Sequence, residues 1–252
     1  MFTFLRKKQE KNNNPNQYCL PHGFRVYAVG DIHGRADLLK TLHQRIIADA
    51  AQASKSKNLV VYLGDYVDRG FEVHEVLDTL IAGLPGNFQP VYLRGNHEEI
   101  LLSFLEDFSL LEFWLAIGGQ STLANYRVAF SGIGYSKSRA QEVQKALIER
   151  LPEKHLFFLR RLTTSFTIGD YFFVHAGVRP GVALAQQRPE DLLWIRDPFI
   201  SSTDHFGARI VHGHSIVRSP EVLPNRIGLD TGAYATGILS CAVLEEDRVR
   251  LL

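Results

Sequence analysis

Five short clusters in this chain set carboxylate, imidazole, amide and guanidinium groups beside glycine. They are Gly30-Asp31-Ile32-His33-Gly34, Gly64-Asp65-Tyr66-Val67-Asp68-Arg69-Gly70, Arg94-Gly95-Asn96-His97-Glu98, His175-Ala176-Gly177 and His212-Gly213-His214-Ser215. Asp31 and His33 stand two apart, so both side chains can project to one side of an extended turn, and the glycines permit tight backbone near a ligand. Together the clusters offer five histidines, four carboxylates and an asparagine amide. That mixed nitrogen and oxygen set suits manganese, iron or zinc and serves calcium poorly, because calcium takes oxygen alone.

Each cluster follows a short apolar, β-branched run. Phe24 to Gly30, Leu59 to Leu63 and Pro90 to Leu93 read as strands. Helical spacing follows each, through Leu38, Leu39, Leu42, Ile46 and Ile47, then Val76, Leu77, Leu80 and Ile81, then Ile100, Leu101 and Leu102. Three successive βα units argue for an α/β sheet, and ligands in such sheets collect beyond the carboxyl ends of the strands. Residues 98 to 160 read as mostly helical, with their aromatics in the core and a break at Gly118-Gly119. Beyond Leu162 the pattern turns strand-rich, over 165–168, 171–174, 208–211, 226–229 and 238–244. Two packed sheets with helices outside follow from that division.

With 28 basic against 27 acidic residues the chain carries a net charge of +1, and 45% of it is hydrophobic. This excludes a disordered tail protein and a nucleic-acid binder driven by bulk charge. Cys19 and Cys241 lie far apart with no CxxC spacing, so neither a disulfide framework nor a cysteine zinc site is expected. The stub before Arg6 is too short for a signal peptide, and no run is long enough to span a bilayer. A cytoplasmic protein without membrane or nucleic-acid partners is expected. Residues 1–20, rich in asparagine, read as a flexible tail ahead of a single domain over 21–252.

In order along the chain, GDIHG, GDYVDRG, RGNHE, HAG and HGHS resemble the motif series of the phosphoprotein phosphatase branch of the metallophosphoesterases, and the resemblance runs from about Phe24 to Leu252. It implies a four-layer α/β/β/α sandwich with two divalent metal ions at one end of its sheets, manganese foremost, with iron or zinc also compatible. Carried over by position, Asp31 and His33 bind the first ion, Asp65 bridges both, and Asn96, His175 and His214 complete the second. His97 becomes the general acid with Asp68 as its partner. Arg69 and Arg196, with Asn96, contact the substrate phosphate, Arg196 through the segment Trp194-Ile195-Arg196. Two ions about 3.5 to 4 Å apart can share a hydroxide of near-neutral pKa and clamp an in-line displacement, so no protein nucleophile is required. The leaving alkoxide still needs a proton, which a carboxylate-oriented histidine can give.

Arg94 is open between a salt bridge to a ligand carboxylate and a substrate contact. The GH[TS] pattern of the family selects His214 and leaves His212 to support a ligand. Asp230-Thr231-Gly232 reads as a structural turn near the site, and His22, His43, His74, His155 and His205 read as ordinary surface or core histidines. The function expected is a serine/threonine protein phosphatase acting on a phosphorylated protein or peptide. Symmetrical diadenosine tetraphosphate hydrolysis is the alternative, although that group has GNHD where this chain has Asn96-His97-Glu98. A catalytically dead phosphoprotein-binding scaffold is the third reading, and it is disfavoured because every ligand and acid position is filled.

Overall fold

The computed structural model describes residues 18–52, 56–129 and 136–252. The expectation of a flexible segment over residues 1–17 lies outside the described residues. The chain opens with three successive units of strand and helix: β1 (Phe24–Val29), α1 (Ala36–Ala51), β2 (Lys57–Tyr62), α2 (Val73–Ala82), β3 (Gln89–Tyr92) and α3 (Asn96–Glu106). A helical stretch follows, with α4 (Leu111–Ile117), α5 (Gln120–Asn125), α6 (Lys137–Arg150) and α7 (Glu153–Arg160). The strand-rich half holds β4 (Ser165–Ile168), β5 (Tyr171–Val174), α8 (Pro189–Trp194), β6 (Arg209–His212), β7 (Glu221–Val222), β8 (Arg226–Gly228), α9 (Ala233–Thr236), β9 (Cys241–Glu245) and β10 (Arg248–Leu251).

These strands form two five-stranded mixed sheets, ordered β10-β9-β1-β2-β3 and β4-β5-β6-β8-β7. In the first, β1, β2 and β3 are parallel and β9 returns antiparallel to β1. In the second, β5, β6 and β8 are parallel. Because strand side chains alternate between faces, β1 and β2 serve two cores. Tyr27, Val29, Val60 and Tyr62 pack under the helices with Leu39, Leu42, Leu77 and Trp114. Val26, Ala28, Leu59 and Val61 face the second sheet and meet Tyr171, Phe173, Val211 and Ile227. The outer face of the second sheet, Phe172, Val174 and Ile210, is covered by Leu192, Ile195 and Phe199. Four layers result, and the outermost is thin: one short helix, α8, and the irregular segment after it.

Three expectations shift. Tyr18 and Leu20 are not tail but core, buried between the sheets. Cys19 accepts from the Asp170 N–H and donates to the Asp170 carboxylate in the β4–β5 turn, while the Leu20 N–H bonds Glu246 O in the β9–β10 turn. The last predicted strand starts at Cys241, because Ile238 O and the Ser240 hydroxyl are bonded to Thr231 Oγ1 in a turn. The edge strands β7 and β10 were not anticipated; two residues in one and the weak pattern Arg-Val-Arg-Leu in the other leave little signal. Among the described residues no helix is long and apolar enough to cross a membrane.

Candidate metal centre

All five clusters lie beyond the C-terminal ends of parallel strands, from β1, β2 and β3 in one sheet and β5 and β6 in the other. The backbone there is bent into uncommon shapes. Seven described non-glycine residues have positive φ, and five of them are His33, Asp65, Asp68, Arg69 and His214. Such conformations cost on the order of 1 to 3 kcal/mol each and persist where the surroundings enforce them.

Asp65 sits at the middle of the cluster. Its Oδ2 lies 3.3 Å from His33 Nε2, and its Oδ1 lies 3.4 Å from His175 Nε2. Two groups of potential ligands share it: His33, Asp65 and His97, and Asp65, His175 and His214. The tautomers are set from behind. His33 Nδ1 donates to Val67 O at 2.8 Å, and His175 Nδ1 donates to Leu63 O at 2.9 Å. In the neutral ring each Nε2 then turns a lone pair toward the carboxylate, and His175 Nε2 also lies 2.9 Å from Asn96 Oδ1. Acceptors facing acceptors in a dry pocket repel unless a proton or cation stands between them. His33 Nε2, His214 Nε2 and Asp31 Oδ1 are likewise buried without hydrogen-bond partners. The donor set and these orphaned atoms fit divalent metal ions. Asp31 is held in place by the His214 N–H on its Oδ2 at 3.0 Å, and Gly213 lies so near that a Cβ there would stand 1.9 Å from Asp31 Oδ1.

The protonation energetics agree. Burial pushes the Asp31 carboxyl well above its usual range, and the negative charges of Asp230 and Asp65 push it further. Burial also works on Asp65, but the rings of His175, His97 and His33 overcome it and hold Asp65 well below the carboxylate range. Burial drives His214 down to about 2, with His175 reinforcing it, so its imidazole is neutral and able to ligate. A dry site that crowds carboxylates and imidazoles this closely is short of fixed positive charge.

Beside the cluster, His97 Nδ1 lies 2.8 Å from Asp68 Oδ2, with both side chains buried. Asp68 is fixed by Trp114 Nε1 at 3.0 Å and by the Thr122 hydroxyl at 2.5 Å. Arg69 Nη2 donates to His97 Nε2 at 3.2 Å, and its guanidinium lies 4.8 Å over the Tyr234 ring. Although His97 falls within ligating distance of Asp65, these two hydrogen bonds already occupy both its nitrogens. Gly118 carries φ 121°, and a Cβ there would stand 2.8 Å from Arg69 Cγ, so the expected helix break gives the arginine its room. Arg196 is exposed at the rim, where its Nη1 reaches Ser215 Oγ at 3.4 Å, next to His214.

The structure thus gathers Asp31, His33, Asp65, Asp68, Arg69, Asn96, His97, His175 and His214, with Arg196 at the edge. Two neighbours behave differently from expectation. Arg94 pairs with Glu99 at 2.9 Å rather than with a ligand carboxylate. His212 shares a strand face with Ile210, so it points into the outer core and packs edge-on against Phe199, away from the ligands. Asp230 behaves as a turn residue, accepting from the Gly232 N–H at 2.8 Å.

Glu98 is the residue whose part was not anticipated. Fully buried, it accepts four backbone N–H groups: Tyr66 and Val67 on Oε1, Asp65 and Gly95 on Oε2. One carboxylate therefore ties the GDYVDRG loop to the start of α3. Burial and the Asp65 charge push it up to about 7 against the pull of the Val67, Gly95 and Tyr66 N–H groups. Its position three residues past Gly95, at the start of a helix, was the available signal. Trp114 and Thr122 lie far in sequence from the loop they support and left none, and Tyr234, two residues past the Asp230-Thr231-Gly232 turn, carries no pattern of its own.

A family model described as calcineurin-like phosphoesterase matches residues 24–232. The chain is 26% identical over 233 residues to a protein named serine/threonine-protein phosphatase 2 from Escherichia coli K12, covering 87% of this chain and 93% of that one. It is 25% identical over 229 residues to an asymmetrical bis(5'-nucleosyl)-tetraphosphatase, PrpE, from Anoxybacillus flavithermus, covering 84% and 87%. Among solved structures, a mutant of a cold-active protein tyrosine phosphatase superposes with a TM-score of 0.58 at 20% identity, covering 96% of this chain and 82% of that one, a likeness of fold.

Proposed function

We propose that this chain, which belongs to the calcineurin-like phosphoesterase family, is a metal-dependent phosphomonoesterase acting on phosphoserine and phosphothreonine in proteins or peptides. The observation that carries this reading is the pairing of two ligand groups through Asp65 with a buried His97–Asp68 couple alongside. Asp31, His33 and Asp65 would hold one divalent ion and Asp65, Asn96, His175 and His214 the other, with manganese the ion we favour. When bound, the ions supply Lewis acidity toward the phosphoryl oxygens and acidify a water.

The chain's own groups do the rest. Arg69 and Arg196 bind phosphoryl oxygens, for which a planar guanidinium fork is well shaped, and the Asn96 amide contacts the same group. His97, whose Nε2 takes up a proton from water once the Arg69 guanidinium has released it, gives that proton to the departing alkoxide and returns to the neutral ring, while Asp68 keeps the ring oriented and stabilises it when charged. This requires Arg69 to leave its resting hydrogen bond to Nε2, and an arriving phosphate provides the stronger partner. Substrate binding and arming of the acid are thereby linked through one side chain.

The serine/threonine assignment draws support from the relative of that name, which matches over nearly its whole length, and from the GDYVDRG and RGNHE motifs. A second reading, hydrolysis of dinucleoside tetraphosphates, is favoured by the PrpE relative, which is of the asymmetrical kind rather than the symmetrical kind expected from the motifs alone. One kinetic panel separates them. Chelator-treated protein reloaded with manganese should cleave a phosphothreonine peptide with higher kcat/KM than a phosphotyrosine peptide or diadenosine tetraphosphate. Faster cleavage of the dinucleotide overturns the reading, and its products, equal or unequal halves, identify the cleavage mode.

A further inference from the structure

The helical layer contains a second group of ligating side chains that the proposed reaction does not use. His74 and Asp78 stand one turn apart on α2, and His155 faces them from α7. His74 Nδ1 lies 3.5 Å from Asp78 Oδ2, His155 Nε2 lies 2.8 Å from Asp78 Oδ1, and a ligating atom of each lies within 4.8 Å of the others. The two imidazoles meet edge to face with centroids 4.6 Å apart. We propose that His74, Asp78 and His155 form a binding site for one divalent transition-metal ion of the zinc type, separate from the pair at the strand ends.

Donor chemistry and spacing support this site. Two imidazoles and a carboxylate make a borderline set that zinc accepts, and ligands on bonds of about 2.05 Å in a tetrahedron stand roughly 3.3 Å apart. The two measured separations bracket that edge. An i, i+4 pair on one helix with a third ligand from a packed neighbour needs only side-chain adjustment to close. His155 is fully buried, and its Nδ1 lies 2.8 Å from the Tyr126 hydroxyl, which can accept the Nδ1 proton and leave the Nε2 lone pair for the ion. Burial lowers the His155 pKa, which keeps the ring neutral. His74 is half-exposed, so an ion has an entry route and a coordination position open to water.

Lys154 is the competitor. Its ammonium group pairs with Asp78 Oδ1, the oxygen that also meets His155. That lysine is largely exposed, and such surface pairs are weak enough for a divalent ion to displace. The site lies behind the loop that carries Arg69: α2 starts three residues after Gly70, and the His74 N–H bonds Asn125 Oδ1 on α5, the helix that presents Thr122 to Asp68. An ion there ties α2 to α7 at the back of that loop.

The test is metal content per chain after equilibrium dialysis of the full-length protein against manganese and then micromolar zinc. The wild-type chain should hold one more ion than His74→Ala, and Lys154→Ala should bind that extra ion about tenfold more tightly than wild type. Equal metal content in wild type and His74→Ala, or an affinity unchanged by Lys154→Ala, overturns the proposal. Because the reading is a difference of one ion between variants, it stands or falls separately from the strand-end pair, whose loss would lower both proteins equally.

Discussion

Asp68 reaches His97 Nδ1 at 2.8 Å from a pocket in which Trp114 and Thr122 already satisfy its remaining lone pairs. The carboxylate has no freedom to turn elsewhere, so the imidazole is held in one tautomer and one orientation before any substrate arrives.

If His97 protonates the leaving group, its importance must depend on how much the leaving group needs a proton. His97→Ala should lower kcat/KM on a phosphoserine peptide by roughly 10²- to 10⁴-fold with metal content unchanged. The loss on p-nitrophenyl phosphate, whose phenolate departs unaided, should be much smaller. Equal losses on the two substrates would remove His97 from the role of acid.

Glu98 gathers four backbone N–H groups on two oxygens, so Glu98→Gln replaces an acceptor with a donor facing two other donors. Leaving buried groups unpaired costs about 1 to 3 kcal/mol apiece, and the loop bearing Asp65 loses its anchor. Titration with manganese should show affinity weakened by roughly 10- to 100-fold. Wild-type affinity in this variant would show that the loop holds its shape without the carboxylate.

Gly118→Ala puts a methyl group 2.8 Å from Arg69 Cγ at a residue with φ 121°. Strain at such a position destabilises by about 1 to 3 kcal/mol, and the functional effect is a displaced guanidinium. Steady-state kinetics should show KM for phosphoester substrates rising several-fold while bound metal stays constant. An unaltered KM would mean that Arg69 does not contact the phosphate.

Acid sensitivity should be traceable to a histidine remote from the ligands. Burial lowers His43 to about 4, and the Tyr62 hydroxyl donates to its unprotonated Nε2 at 2.8 Å. Since the folded value lies below that of the unfolded chain, the unfolded state takes the proton first. The contribution, about 3 kcal/mol at most, is intact above about pH 6.5 and disappears as pH falls toward 4. Urea midpoints measured across that range should fall less steeply for His43→Gln than for wild type, and parallel profiles would refute the assignment.

Much of the site was legible because its residues sit where apolar runs end. A strand that stops at Gly30, Gly64 or Arg94 delivers the following polar side chains to one edge of the sheet, and GH[TS] separated His214 from His212. What was hidden depends on packing. Trp114 and Thr122 stand 46 and 54 residues from the carboxylate they hold, and no local pattern links them to it. The direction of His212 follows from strand alternation, which becomes readable only when β6 is known to have an outer face covered by Phe199. Tyr18 and Leu20 were concealed by polar neighbours, and their burial is created by a cleft between two turns distant in sequence.

That cleft bears on how the protein is handled. The segment Tyr18–Leu20 acts as a clasp across the end of the sandwich opposite the ligands, joining the β4–β5 hairpin to the β9–β10 hairpin through Asp170 and Glu246. Trimming the N-terminus at the first strand would cut this clasp and expose the inter-sheet seam to water, so a shortened version should begin no later than residue 17.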